Sequence, residues 1–282
     1  MSEAKSRMFS CLIYGLALLI PLILGWLVWD IVRLGWSSVS WAFISTEPIN
    51  SGRSGGILPI LLSTSWILAI ALATAVPLGL GTAIWLAEYQ SQDGITRRGR
   101  WIRLCLDTLA GVPSIVFGLF GYAFFCVYLG FGYSILAGGL TLACMILPLF
   151  IRICEDGLRA VSSDWRRAGA ALGMSHARVL WSVLLPSATP TLIAGLMLSV
   201  GRASAETAAL LFTSGYVSRT PEGVLDSGRA LSVHIYDLTM NVTGANSAAY
   251  ATALILLLLI IFIHGITQLL SHVWLKKQGY MS

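Results

Sequence analysis

Residues Asp164–Pro186 read DWRRAGAALGMSHARVLWSVLLP. Ser162 or Ser163 precedes an acidic first turn at Asp164. That is how a helix starts: a hydroxyl accepts from an orphan backbone N–H, and a carboxylate faces the positive end of the dipole. Trp165, Ala168 and Leu172 recur at helical spacing and share one face. Gly173 ends that helix, and Ser175 caps a second one that runs through Val179, Leu180 and Val183. Small residues at Ala168, Gly169 and Gly173 let another surface come close. Two readings stay open: a solvated amphipathic connector, or a docking element for another protein.

The surroundings of this stretch are oily. The chain has 282 residues, 56% of them hydrophobic and 11% charged, with mean hydropathy +0.80. A soluble domain carries about 25% charged residues, so the chain belongs in a bilayer. A hydrocarbon core about 30 Å thick takes roughly 20 apolar residues per helix. Phe9–Trp29 is one such run. It exceeds the roughly 7–15 apolar residues of a cleaved signal, so we expect a retained helix. Ile57–Ala87 is uncharged throughout. It is too long for one straight span, and Pro59 and Pro77 are expected to kink it or split off an interfacial piece. No charge occurs between Asp107 and Arg152, which leaves room for two spans with GFGY, Gly130–Tyr133, as the turn. Val179–Gly201 opens a fifth span, and a sixth lies within Leu238–Leu275, about Ala248 to His272. The expected fold is an all-α membrane protein of six transmembrane helices.

Loop charges orient it. With the N-terminus inside, the inner segments hold Lys5 and Arg7; Arg97, Arg98, Arg100 and Arg103; Arg152, Arg159, Arg166, Arg167 and Arg178; and Lys276 and Lys277. The outer segments hold only Arg33, Arg53, Arg219 and Arg229. Both termini are therefore cytoplasmic, and the net charge of +5 reports topology, not nucleic-acid binding. The stretch Asp164–Pro186 falls on the cytoplasmic face.

The membrane segments offer no nucleophile, paired carboxylates or metal cluster, which argues against an enzyme. Cys11, Cys105, Cys126, Cys144 and Cys154 form no CxxC pair and read as small apolar packing residues. GRASAETA, Gly201–Ala208, places Arg202 and Glu206 four residues apart, one helix face if the helix continues. Arg202 lies about 24 Å along the helix from Pro186, past the midplane toward the outside. A charge there faces a partner or water. It is either a structural lock between helices or a pathway residue whose fork of donors suits an oxyanion. LAGVPSIVFG carries Gly111, Pro113, Ser114 and Gly118 within one span, giving either a kinked packing helix or a gate. Glu88 and Asp107 at the inner edges are expected to snorkel or pair. His234 and Tyr236 are expected in a solvated outer loop, and His264 and His272 at the membrane interface.

The motifs carry a family resemblance. Arg167-Ala168-Gly169, three residues to Gly173, nine more, then Val183-Leu184-Leu185-Pro186 resembles the EAA loop of ABC importer permeases. Arg167 stands at the usual Glu, and Gly169 at the second Ala. The resemblance implies docking of a cytoplasmic ATPase through Arg166, Arg167, Ala168, Gly169, Ala171, Leu172, Gly173, Met174 and Ser175. With the charge reversed at Arg167, docking is expected to rest on helix shape and apolar contact. Gly55–Tyr89, Leu109–Phe125 and Gly201–Thr213 resemble the phosphate-importer branch, the PstA-type permeases, and Leu231–Leu238 echoes it more weakly. Ser63 and Ser232 depart from that branch's pattern.

The resemblance implies the type I ABC importer permease fold, with residues 1–55 as an N-terminal helix and outer loop. Residues 56–275 are the transmembrane domain with a coupling loop at 154–186, and 276–282 a cytoplasmic tail. It implies half of a phosphate pore in a bacterial cytoplasmic membrane, with Arg202 and Glu206 on the substrate path. Gly111, Pro113, Ser114 and Gly118 would form the gate. The implied partners are a sister permease, two ATPase subunits and an extracytoplasmic phosphate-binding protein. The chain has no Walker A sequence, so ATP and Mg belong to the ATPase and this chain binds no cofactor. A permease for sulfate, molybdate or phosphonate, or a non-transporting scaffold in phosphate signalling, are the alternatives.

Overall fold

A computed structural model describes residues 3–90 and 96–277, and these are predominantly helical. Helix α1 (Glu3–Gly35) leads to short α2 (Trp41–Ser45) and a minimal hairpin. In the hairpin, β1 (Pro48–Ile49) pairs antiparallel with β2 (Ser54–Gly55), Pro48 opposite Gly55. Its turn takes three left-handed residues, Asn50, Ser51 and Gly52, with φ of 52°, 60° and 86°.

Helix α3 (Leu58–Glu88) is one continuous helix, not two pieces. Pro59 sits in the first turn, where its missing N–H has no intrahelical partner to lose. Pro77 is absorbed inside the helix. At 1.5 Å per residue, 31 residues reach about 46 Å, more than a hydrocarbon core of about 30 Å.

The next segment departs further from the expectation. Helix α4 (Arg97–Ala110) and α5 (Ser114–Gly121) form a sharply broken span, meeting at 102°, and not a gently kinked helix. Gly111 closes α4, while Pro113, at φ −60° and ψ 143°, opens α5. A residue before proline is driven out of the helical region, and proline supplies no N–H to continue the ladder, so the helix breaks outright. A π-turn, Tyr122–Tyr128, extends α5, and Gly130 and Gly132, at φ 73° and 63°, make the expected turn into α6 (Ile135–Ala160).

Helices α7 (Ser163–Ala171) and α8 (His176–Val179) follow, then a π-turn at Leu180–Leu184 and α9 (Leu185–Ser204). Short α10 (Ala208–Leu211), α11 (Leu231–Met240) and long α12 (Asn246–Lys277) complete the chain.

Packing fixes the directions. Gly139 of α6 lies against Ile67 and Ile70 of α3, and Gly79 of α3 lies against Phe150 and Ile151 of α6. Residue numbers rise together, so α3 and α6 are parallel. The chain must therefore cross back between them, and the α4–α5 elbow is that return, the sixth crossing beside five continuous apolar helices. Helix α9 runs against α6, with Gly157 on Thr191 and Gly195 on Ile153. Helix α12 runs against α9, where the His264 ring lies 3.0 Å from the Met197 carbonyl, and against α1, where Gly35 meets Tyr250 and Leu254. Ile67, Ala71, Leu142, Ile146, Ala203 and Leu210 form the central core. Cys126 and Cys154 are buried as expected, but Cys105 is exposed, because it lies on the outward face of amphipathic α4. The Cys11 side chain and residues 278–282 of the tail lie outside the described residues.

Candidate functional site: coupling loop, elbow and Arg202

At the inner end, the Ser162 hydroxyl accepts from the Asp164 N–H at 3.2 Å and starts α7. Gly173, at φ 68°, ends the turn after it. The Ser175 hydroxyl accepts from the Arg178 N–H at 3.3 Å and starts α8. Gly169 is buried with Val179 against the place a Cβ would occupy, so α7 folds back on α8 only because this residue has no side chain. Trp165 (56% exposed) and Leu172 (79% exposed) share the outward face of this angle with Ala168. Ala171 and Ser175 are also exposed, and Met174 is half-buried. Arg167 is exposed, and its contact with Asp164 is a loose 3.7 Å pair.

Arg166 does not join that face. It turns inward and forks onto Glu88 at the end of α3, Nε to Oε2 at 3.1 Å and Nη2 to Oε1 at 2.5 Å. It also donates to the carbonyls of Leu158 and Val161 at 2.9 and 2.8 Å. The coupling loop is thereby tied to two helix ends whose last carbonyls lack intrahelical donors.

A second knot lies beside it. Glu155, with 2% of its side chain exposed, accepts from Arg103 Nε at 2.8 Å and Arg159 Nε at 2.9 Å. Both arginines also donate to the Leu86 carbonyl, at 3.3 and 2.9 Å. The Glu155 Oε2 atom has no hydrogen bond. Asp107 pairs with Arg152. Of the two expectations for Glu88 and Asp107, snorkelling or pairing, the structure shows pairing, whereas Glu155 was not anticipated. Its signal was Arg152, Glu155 and Arg159, at i, i+3 and i+7 on the end of an apolar helix.

At the elbow, Gly118 is the close-approach residue. A Cβ there would stand 2.9 Å from the Ala209 Cα, so α10 crosses α5 against bare backbone. Gly111 meets nothing so tight and serves as the C-cap of α4. Ser114 begins α5. Inside the bend lies an apolar hollow of about 480 Å³, lined by Leu106, Val116, Phe117, Phe120, Cys144 and Pro148.

Arg202 and Glu206 do not share a helix face. Helix α9 stops at Ser204, so the four-residue spacing no longer spans a turn. Glu206 instead accepts from the Ala209 N–H at 3.1 Å, ahead of α10. Among the described residues Arg202 makes no hydrogen bond or ion pair, and it is exposed. It continues an exposed stripe of α9 through Thr191, Ala194 and Leu198.

The outer loop is more ordered than expected. His234 lies on α11 and is 1% exposed, not solvated, because Gly52 lets the hairpin turn close over its ring. Arg229 sits 3.3 Å from His234 Nδ1, donates to Asp237 at 2.8 Å, and donates twice to the Tyr216 carbonyl, at 3.0 and 2.7 Å. Burial, aided by the Arg229 charge, holds the His234 pKa down at about 4.

Comparison with known proteins gives the family. The profile described as "Binding-protein-dependent transport system inner membrane component" matches residues 75–273. A "Probable ABC transporter permease protein YqgI" of Bacillus subtilis is 36% identical over 239 residues, covering 80% of each chain. "Phosphate transport system permease protein PstA" of Mycobacterium leprae is 33% identical over 248 residues, covering 86% of this chain and 80% of that one. PstA 1 of Mycobacterium tuberculosis is 36% identical over 202 residues, 70% of this chain and 64% of that protein. A chain of the MetNI methionine ABC transporter in an inward-facing conformation superposes with TM-score 0.56 at 17% identity, over 78% of this chain and 96% of that one. This likeness concerns the fold. The chain belongs to the binding-protein-dependent transport inner membrane components, the multi-pass permease subunits of ABC importers.

Proposed function

We propose that this chain forms half of the pore of an ATP-driven importer of inorganic phosphate in a bacterial cytoplasmic membrane. Its relatives named as phosphate permeases support the substrate, and the unpaired Arg202 carries the reading at the level of residues. A guanidinium without a carboxylate partner, on an uncovered stripe of α9, offers a planar fork for phosphate oxygens as they pass. Glu206, held away at the start of α10, does not neutralise it. A sister permease faces that stripe and completes the path, and an extracytoplasmic binding protein delivers phosphate at the outer loops.

ATP and Mg act on two separate ATPase subunits that seat against the outward angle of α7 and α8. Trp165, Ala168 and Leu172 supply its apolar contact, and Arg167 lies at its edge. Movement of the loop passes through Arg166 to α3 and, across the Glu155 knot, to α4. The break at Gly111–Pro113 then lets α5 swing on a bare-backbone contact at Gly118, opening and closing the path.

Radiolabelled phosphate uptake in cells lacking this chain tests the proposal. Wild type restores uptake indifferent to sulfate, and Arg202→Ala does not at equal membrane levels. Uptake that sulfate competes away would reassign the substrate to another oxyanion, and no restoration by wild type would refute transport.

A further inference from the structure

Helix α4 faces two environments. On its inner side Gly99 and Leu106 are buried, Leu106 packing with Phe150, Ile151 and Cys154, and Arg103 is bound to Glu155. On its outer side Trp101, Leu104, Cys105 and Thr108 form an exposed stripe at helical spacing. Its first turn adds Arg97, Arg98 and Arg100. All three are exposed, and among the described residues their guanidinium groups make no hydrogen bond or ion pair. Helix α4 meets α5 at 102° and runs antiparallel beside the inner end of α6, Arg103 level with Glu155 and Asp107 with Arg152.

We propose that the outward face of α4 seats on anionic phospholipid of the cytoplasmic leaflet. The order of residues fits a bilayer boundary. Cations come first, at the depth of lipid phosphates; Trp101 follows at headgroup level; Leu104 and Cys105 reach the acyl region. Unpaired arginines on an amphipathic helix complement a negatively charged surface. Water on this face would leave Trp101 and Leu104 exposed, while a purely apolar partner would strand three unpaired cations. Arg103–Glu155 and Asp107–Arg152 fasten α4 to α6, and Gly111–Pro113 fastens it to α5. The seat therefore sets one arm of the elbow by the charge of the surrounding lipid.

The test uses the assembled importer extracted from its membrane and placed in nanodiscs of phosphatidylcholine with about a quarter phosphatidylglycerol. A nitroxide is attached at Cys105, with the other cysteines of this chain replaced by serine. Collision with oxygen exceeding collision with a water-soluble relaxation agent is the expected result. A label shielded from both would show that protein covers α4, and a label reached mainly by the aqueous agent would show that water does. Either overturns the proposal. Lipid retention, read by mass spectrometry on the importer with all cysteines intact, decides independently of labelling. Wild type should hold phosphatidylglycerol over phosphatidylcholine. Changing Arg97, Arg98 and Arg100 together to Gln should cut that preference by about fivefold for each arginine, and changing them to Lys should keep it. Retention of the two lipids in proportion to their supply overturns the proposal.

Discussion

Arg202 shows how a single side chain depends on where its helix ends. Had α9 continued past Ser204, the spacing to Glu206 would have made an ion pair. Ending there frees the guanidinium, and Arg202→Lys should lower phosphate uptake about tenfold while membrane levels hold, since the charge stays and the fork is lost. Transport at the wild-type rate would remove the geometric role. Glu155 makes the opposite case, a buried carboxylate whose Oε1 accepts from two arginines at once. Glu155→Gln leaves Arg103 and Arg159 facing each other beside the Leu86 carbonyl, and should destabilise the chain by about 3 kcal/mol, read as a lower thermal midpoint in detergent. His234 gives a pH dependence. Its folded pKa of about 4 lies below the ordinary 6.5, so the unfolded chain takes up a proton that the folded chain refuses. This contribution is complete above about pH 6.5 and is lost as pH falls toward 4, amounting to about 3 kcal/mol. The wild-type midpoint should fall across that window, and His234→Asn should flatten the slope; an unchanged slope would place the effect elsewhere.

At the scale of elements, the parts that could be read in the sequence were those set by local chemistry. Ser162, Gly173 and Ser175 mark their caps because capping uses neighbours a few residues away. The GFGY turn was legible for the same reason, from glycines that take positive φ. Proline was ambiguous: Pro59, Pro77 and Pro113 carry the same missing N–H, yet one starts a helix, one is absorbed and one breaks the chain by 102°. What separates them is the packing of α4 across α3 and α6 through Arg103 and Leu106, a contact between distant segments. The buried His234 was hidden likewise, since its cover comes from Gly52. The proposed swing of α5 would carry it into the hollow inside the elbow. Cys144→Phe should fill part of it and lower uptake several-fold with the protein still folded, because overpacking costs more in the closed elbow than in the open one. Unchanged uptake would show that the elbow does not close on this hollow.

Across the whole molecule, the inner end behaves as one unit. Arg166 joins the coupling loop to α3, Arg103 and Arg159 join α4 and α6 to the same helix end, and buried carboxylates stand at both junctions. The outward angle of α7 and α8 is what remains for a partner to grip. Its exposed residues include Trp165, Ala168 and Leu172, and the charge-reversing departure from the usual motif, Arg167, is exposed and held only loosely by Asp164. Affinity should then track the apolar face. Leu172→Asp removes a side chain 79% exposed here, so it should leave folding intact. It should weaken ATPase docking by about thirtyfold, the equivalent of one buried leucine at about 2 kcal/mol. Arg167→Glu, which restores the usual charge, should preserve or strengthen docking. Co-purification of the ATPase with each variant, together with phosphate-stimulated ATP hydrolysis, measures both. If Arg167→Glu abolishes docking while Leu172→Asp spares it, the grip is electrostatic, and the partner's groove must carry carboxylates matched to this arginine.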